Sequence, residues 1–127
     1  MRKIMLLNAK GGCGKSTLAT NLASYYASQG KAVVIADFDR QGSSMEWIEQ
    51  RPQDRPPIRG IAAWRDPVRV PRSTDYVIMD VPAGAHGADL TALVRRTPTI
   101  IVPVLPSPTD IRAAAHFIHE RLLVGKI

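Results

Sequence analysis

The sequence predicts an α/β fold in which a mostly parallel sheet carries helices on both faces. Three observations carry that reading. Short, nearly continuous apolar runs stand at Lys3–Asn8, Ala32–Asp37 and Tyr76–Asp80; segments with helical spacing separate them; and a glycine cluster sits where the first run meets the first helix. Continuous apolar runs are what strands show when both faces of their sheet are covered. Strands alternating with helices imply right-handed crossovers and therefore parallel pairing.

The elements follow in order. After the strand at Lys3–Asn8, helical spacing begins at Lys15, with Leu18, Leu22 and Tyr25 or Tyr26 on one side, and Gly30 supplies a stop. Ala32–Asp37 is a second buried strand. Ser43 or Ser44 is a candidate cap for a helix over about Met45–Gln50, which Pro52 ends. The stretch from Arg51 to Arg72 holds five prolines and six arginines against Asp54 and Asp66, so most of it reads as loop, with a brief strand in Ile58–Trp64. Tyr76–Asp80 is a strand, and the turn-forming Pro82-Ala83-Gly84 follows it. Asp89–Arg96 reads as a short helix, Thr99–Val104 as a buried strand, and Asp110–Val124 as a last helix capped by Thr109 or Asp110. The chain stops at Ile127, where that helix should turn into another strand. The expectation is a single domain over residues 1–127 that forms the N-terminal portion of a longer, C-terminally truncated fold.

Composition narrows the class. With 127 residues, 45% hydrophobic and 22% charged, the chain has room for one core and the make-up of a globular protein. No apolar run reaches the roughly 18 residues of a membrane span. The basic pair Arg2-Lys3 before an apolar run suggests a signal peptide, but the run stops at Asn8 and Lys10 follows, so a cytoplasmic protein is expected. Cys13 is the only cysteine, which excludes an internal disulfide framework and an all-cysteine metal site. The net charge of +6 suits a polyanionic partner such as DNA, and suits a solvated basic surface equally well.

The glycine segment carries the chemistry. Ala9-Lys10-Gly11-Gly12-Cys13-Gly14-Lys15-Ser16-Thr17 is a variant of Gly-x-x-x-x-Gly-Lys-[Ser/Thr], with Ala9 at the first glycine position. Glycines let the backbone turn tightly, so that successive N–H groups converge on phosphate oxygens and the helix N-terminus adds its positive end. Gly11, Gly12, Cys13, Gly14, Lys15, Ser16 and Thr17 are therefore the candidate phosphate-binding residues. Lys15 adds a point charge between the outer phosphates, and the Ser16 hydroxyl suits Mg²⁺. Cys13 reads as a small loop residue rather than a redox switch.

Two lysines, Lys10 and Lys15, bracket this loop, and the pattern Lys-Gly-Gly-x-Gly-Lys-[Ser/Thr] resembles the deviant Walker A motif of ParA/MinD-type ATPases. Asp37-Phe38-Asp39-Arg40-Gln41-Gly42-Ser43 is similar to the Asp-x-Asp-Pro-Gln-Gly segment of ParA proteins, with Arg40 where proline is commoner. Asp80-Val81-Pro82-Ala83-Gly84 resembles their second switch. Val104–Pro108 with Thr109-Asp110 resembles a later strand end and its loop, so the matches run from Met1 to about Ala115 in the family's order.

The resemblance implies a P-loop nucleoside triphosphatase that hydrolyses ATP to ADP and phosphate with Mg²⁺. It implies that Lys10 reaches across a dimer to phosphates held by the other subunit, as an arginine finger does. It makes Lys15 and Asp39 the other catalytic candidates, with Asp39 orienting or deprotonating the attacking water. Asp80 matches the Walker B carboxylate, and Asp37 helps hold the Mg²⁺ shell, which gives Ser16, Asp37 and Asp80 as the metal set. The implied partners are a second copy in the ATP state, non-specific DNA and a stimulating protein of the ParB or adaptor type, in plasmid or chromosome partition or other cargo positioning.

The Gln41-Gly42 pair favours the ParA side over MinD-type membrane association. The amphipathic segment Ile111–Val124 reads as a core-packing helix rather than a membrane anchor. The alternatives are a nucleotide-binding fragment without catalysis, a MinD-type membrane-associated ATPase, and an iron-protein-like reductase. The last of these lacks cluster-ligating cysteines. Arginines in Arg51–Arg72 read as a solvated loop in preference to a phosphate-tracking surface.

Overall fold

A computed structural model describes residues 1–7, 14–82 and 88–119. Its elements are β1 (Arg2–Leu7), α1 (Lys15–Ser28), β2 (Val33–Asp37), α2 (Ser43–Glu49), β3 (Arg59–Ala62), β4 (Tyr76–Val81), α3 (Ala88–Arg96), β5 (Thr99–Ile101) and α4 (Pro108–Phe117). The five strands form one sheet in the order β3-β2-β4-β1-β5, with every pairing parallel.

Strand alternation divides the core in two. Ile4, Leu6, Ile35 and Ile78 face one side, where Ala19, Ala23 and Ala27 of α1 pack and Trp47 and Ile48 of α2 lean in. Met5, Leu7, Val77, Met79 and Val81 face the other side, where Val94 of α3 and Phe117 of α4 close over them. Helices therefore cover both faces, as the continuous apolar strands require. Each fully buried aliphatic side chain in these layers contributes about 1.5–3 kcal/mol.

Several details correct the sequence reading. The buried residues of α1 are Lys15, Ala19, Thr20, Ala23 and Ala27, while Leu18, Leu22 and Tyr26 are partly buried beside them. Small side chains let the helix axis approach the sheet, so the alanines form the fully buried contact while Leu18 and Leu22 pack beside it, partly buried. Tyr25 points outward and is exposed. Gly30, at φ 78°, ends the helix with its own N–H on the Ala27 carbonyl and the Lys31 N–H on that of Tyr26.

At α2 neither serine is the cap; Gly42 takes that position at φ 67° and the helix begins at Ser43. At α4 the cap is Ser107, whose Oγ accepts the Asp110 N–H at 3.1 Å, so the helix starts at Pro108 rather than Asp110. Proline at the first helical position loses no hydrogen bond, and this favours the earlier start. β5 ends at Ile101 instead of Val104, because Pro103 has no N–H to extend the ladder. The expected continuation of α4 to Val124 lies outside the described residues.

The Arg51–Arg72 stretch is mostly turns around β3. Arg51 is held internally: its guanidinium lies 5.1 Å from the Trp47 ring centroid and donates to the Pro56 carbonyl at 2.9 Å. Among the described residues, no helix is long and apolar enough to cross a membrane.

Candidate functional site

Parallel register places two carboxylates side by side. Asp37, the last residue of β2, is the cross-strand partner of Asp80 in β4, and both side chains are fully buried. Alternation puts Asp37 on the face of Ile35 and Asp80 on the face of Ile78, the side that α1 and α2 cover. Buried carboxylates without donors are strongly unfavourable, so the starts of these two helices decide whether the arrangement stands.

Both helices supply donors. Lys15, the first residue of α1 and itself buried, pairs its ammonium with Asp80 Oδ1. Ser16 Oγ donates to Asp80 Oδ2 at 2.9 Å, and Ser44 Oγ from α2 donates to the same oxygen at 2.5 Å. Asp37 is held by backbone: its Oδ1 accepts the Asp39 N–H at 3.0 Å and its Oδ2 the Met45 N–H at 3.2 Å. Burial pushes the Asp37 carboxyl above its ordinary value of 3.8. The two N–H donors and the Lys15 charge work against that rise without cancelling it, and the Asp39 charge adds to it.

The head of α1 is capped by Gly14, at φ 81°, which makes no side-chain cap hydrogen bond. A residue with a β-carbon is strained at that φ, which explains glycine there. The positive end of the helix dipole lies on this turn, where Lys15 stands. Thr17 is exposed on this turn.

Of the candidates read from sequence, Lys15, Ser16, Asp37 and Asp80 meet in one cluster. Asp39 lies just beyond it, half-buried, with its Oδ1 accepting the Gln41 N–H at 3.0 Å. Lys10, Gly11, Gly12 and Cys13, and the Ala83-Gly84 part of the second switch, lie outside the described residues. Ser44 is the member that sequence reasoning missed. It reads as a helix cap, and its bond to Asp80 spans 36 residues, so no local pattern could announce it.

The donor set suits a hard divalent cation. Ser16 and Asp80 offer a hydroxyl and a carboxylate oxygen, the ligand types Mg²⁺ takes. Both Asp37 oxygens are already engaged by backbone N–H groups, which fits a partner acting through water better than a direct ligand. Among the described residues no three His, Cys, Asp or Glu side chains gather to hold a metal unaided. A cation here would draw its remaining ligands from water and phosphate, as Mg²⁺ ordinarily does. A separate cavity of about 350 Å³, lined by Phe38, Val70, Met79 and Leu93 together with Lys3 and Arg96, opens on the other face of the sheet, away from the carboxylates.

Comparison with known proteins shows the family and the fold. The family model of the CobQ/CobB/MinD/ParA nucleotide binding domain matches residues 4–121. Maintenance of carboxysome distribution protein A of Gloeobacter kilaueensis is 30% identical over 134 residues, covering 96% of this chain and 57% of that protein. The chromosome-partitioning ATPase Soj of Thermus thermophilus is 45% identical over 119 residues, covering 90% of this chain and 41% of Soj. The chain thus spans little more than half the length of the first of these relatives and less than half of the second. A nucleotide-binding protein of Archaeoglobus fulgidus, solved in complex with ADP, shares the fold with a TM-score of 0.67 at 22% identity, over 94% of this chain and 61% of its own.

Proposed function

The chain belongs to the CobQ/CobB/MinD/ParA nucleotide-binding family, and from that membership we propose that it binds ATP with Mg²⁺ and hydrolyses it to ADP and phosphate. The observation that carries the reading is the convergence of Lys15 and Ser16, at the head of α1, on a buried carboxylate at a strand end. Open α/β sheets bind ligands at that end of their strands, and a helix N-terminus there receives phosphate.

In this reading the amides of residues 11–17 cradle the phosphates, and Lys15 leaves Asp80 for their outer oxygens. The Ser16 hydroxyl and Asp80 hold Mg²⁺, with Asp37 beside them supporting its water shell. Held by Ser16 and Asp80, Mg²⁺ would supply positive charge against that developing on the transferred phosphoryl group. Asp39, fixed in its loop by the Gln41 N–H, orients or deprotonates the attacking water. Lys10 supplies a second ammonium, from the other subunit of an ATP-dependent dimer.

The dimer acts as a timed switch in the cytoplasm, positioning plasmid, chromosome or other cargo. Non-specific DNA and a hydrolysis-stimulating protein are its partners. The net charge of +6 supports attraction to a polyanion. The names of Soj and of the carboxysome-distribution protein support a positioning role. The test is calorimetry with ADP and ATP, followed by steady-state phosphate release with and without DNA. Uptake of nucleotide and hydrolysis that disappears in Lys15→Ala are expected. Hydrolysis equal in the two proteins removes the enzyme reading.

A further inference from the structure

Ser44 has no place in the phosphate loop or at the strand ends, yet it belongs to the carboxylate cluster. It is fully buried on the first turn of α2 and donates to Asp80 Oδ2 at 2.5 Å. The N–H of the next residue, Met45, donates to Asp37. The first turn of α2 therefore grips both buried carboxylates at once. Packing holds the turn in place: a β-carbon at Gly60 of β3 would come within 2.7 Å of Met45 Sδ and 2.8 Å of Ile48 Cδ1.

Among the described residues three side-chain donors meet Asp80, and they are not equivalent toward a nucleotide. In the function proposed above, on which this inference rests, Lys15 turns to phosphate and the Ser16 hydroxyl turns to Mg²⁺. Ser44 is fully buried and anchored by α2, so it is the donor that stays. We infer that Ser44 is a positioning residue that keeps the Asp80 carboxylate oriented and hydrogen-bonded when nucleotide and Mg²⁺ have drawn its other two donors away.

The effect falls more heavily on the loaded state. Without the Ser44 hydroxyl the empty protein still has Lys15 and Ser16 on Asp80. The loaded protein loses the side-chain donor that remained to it among the described residues. A change that penalises the loaded state more than the empty one weakens loading by that difference.

The experiment is calorimetry with ADP in Mg²⁺ and in EDTA, on the unsubstituted protein, Ser44→Ala, Ser44→Cys and the exposed-site control Ser43→Ala. Both Ser44 variants are expected to bind ADP normally in EDTA and to lose about tenfold of the gain that Mg²⁺ gives, the scale of a hydrogen bond to a charged group. Cysteine preserves volume but is a weak donor, so full Mg²⁺ dependence in Ser44→Cys means packing and overturns the inference. Ser44→Cys also carries the test if Ser44→Ala fails to fold. Equal loss in Ser43→Ala overturns it too. Absence of ADP uptake by the unsubstituted protein removes the nucleotide reading and this inference with it. Normal uptake with unchanged Mg²⁺ dependence in the Ser44 variants removes only the inference.

Discussion

Lys15 and Asp80 stand 65 residues apart in the chain and meet as a buried ion pair, joining the head of α1 to the end of β4. Removing one partner of a buried pair strands the other charge. Lys15→Met is therefore expected to destabilise the nucleotide-free protein by about 3–5 kcal/mol, read from urea denaturation. Adding Asp80→Asn should recover most of that loss, since no unpaired charge is left. Neither protein should bind nucleotide. A double variant as unstable as the single one would mean that the pair is not what holds these elements together.

Asp37 gives the metal-free protein a defined pH response. Its folded-state pKa is raised above 3.8, chiefly by burial, so the folded protein keeps a proton that the unfolded chain has released. The stability contributed by protonated Asp37 is fully present below about 3.8 and is lost as pH rises through the raised folded value. Denaturation midpoints measured in EDTA across that window should fall with pH relative to Asp37→Asn, which cannot ionise. A difference that grows in favour of the unsubstituted protein as pH rises would contradict the assignment.

Gly42 and Gly30 separate backbone strain from crowding. Both have positive φ, at 67° and 78°, but a β-carbon at Gly42 would also sit 3.4 Å from Trp64 Cη2, whereas at Gly30 it meets nothing within 4 Å. Gly30→Ala should cost about 1–2 kcal/mol, the penalty of a left-handed residue. Gly42→Ala should cost at least as much, and because Gly42 caps α2 it should also change the fluorescence of Trp64. Equal midpoints for Gly42→Ala and the unsubstituted protein would refute the packing described here.

Asp39→Ala should separate binding from turnover. The carboxylate accepts only the local Gln41 N–H among the bonds described, and it lies near the surface. Its loss should change stability by no more than about 1 kcal/mol. ATP affinity should stay close to that of the unsubstituted protein. Phosphate release should fall by about 100-fold or more, the scale of a lost general base. Lost ATP binding with the fold intact would move Asp39 from the reacting water to the nucleotide.

Much of the site was legible because it is written locally. Gly14-Lys15-Ser16 can be read as a phosphate loop before a helix, and Asp37 and Asp80 each end an apolar run. Ser44 was not legible, because helix caps and buried donors share the same residue types and only the fold brings α2 against β4. The α1 stripe was misread for a related reason. Hydrophobicity ranks leucine above alanine, while closeness to the sheet selects alanine.

The sequence by itself determined the α/β class, the order of strands and helices, and the identity of the charged and candidate phosphate-binding residues. These depend on periodicity, turn chemistry and short motifs, all of which act over a few neighbouring residues. Only the tertiary structure decided that β2 and β4 lie side by side in register, bringing Asp37 and Asp80 together and turning both toward the helices that supply their donors. Strand order and register follow from packing the whole sheet between two helix layers, a global compromise that no local stretch of chain encodes.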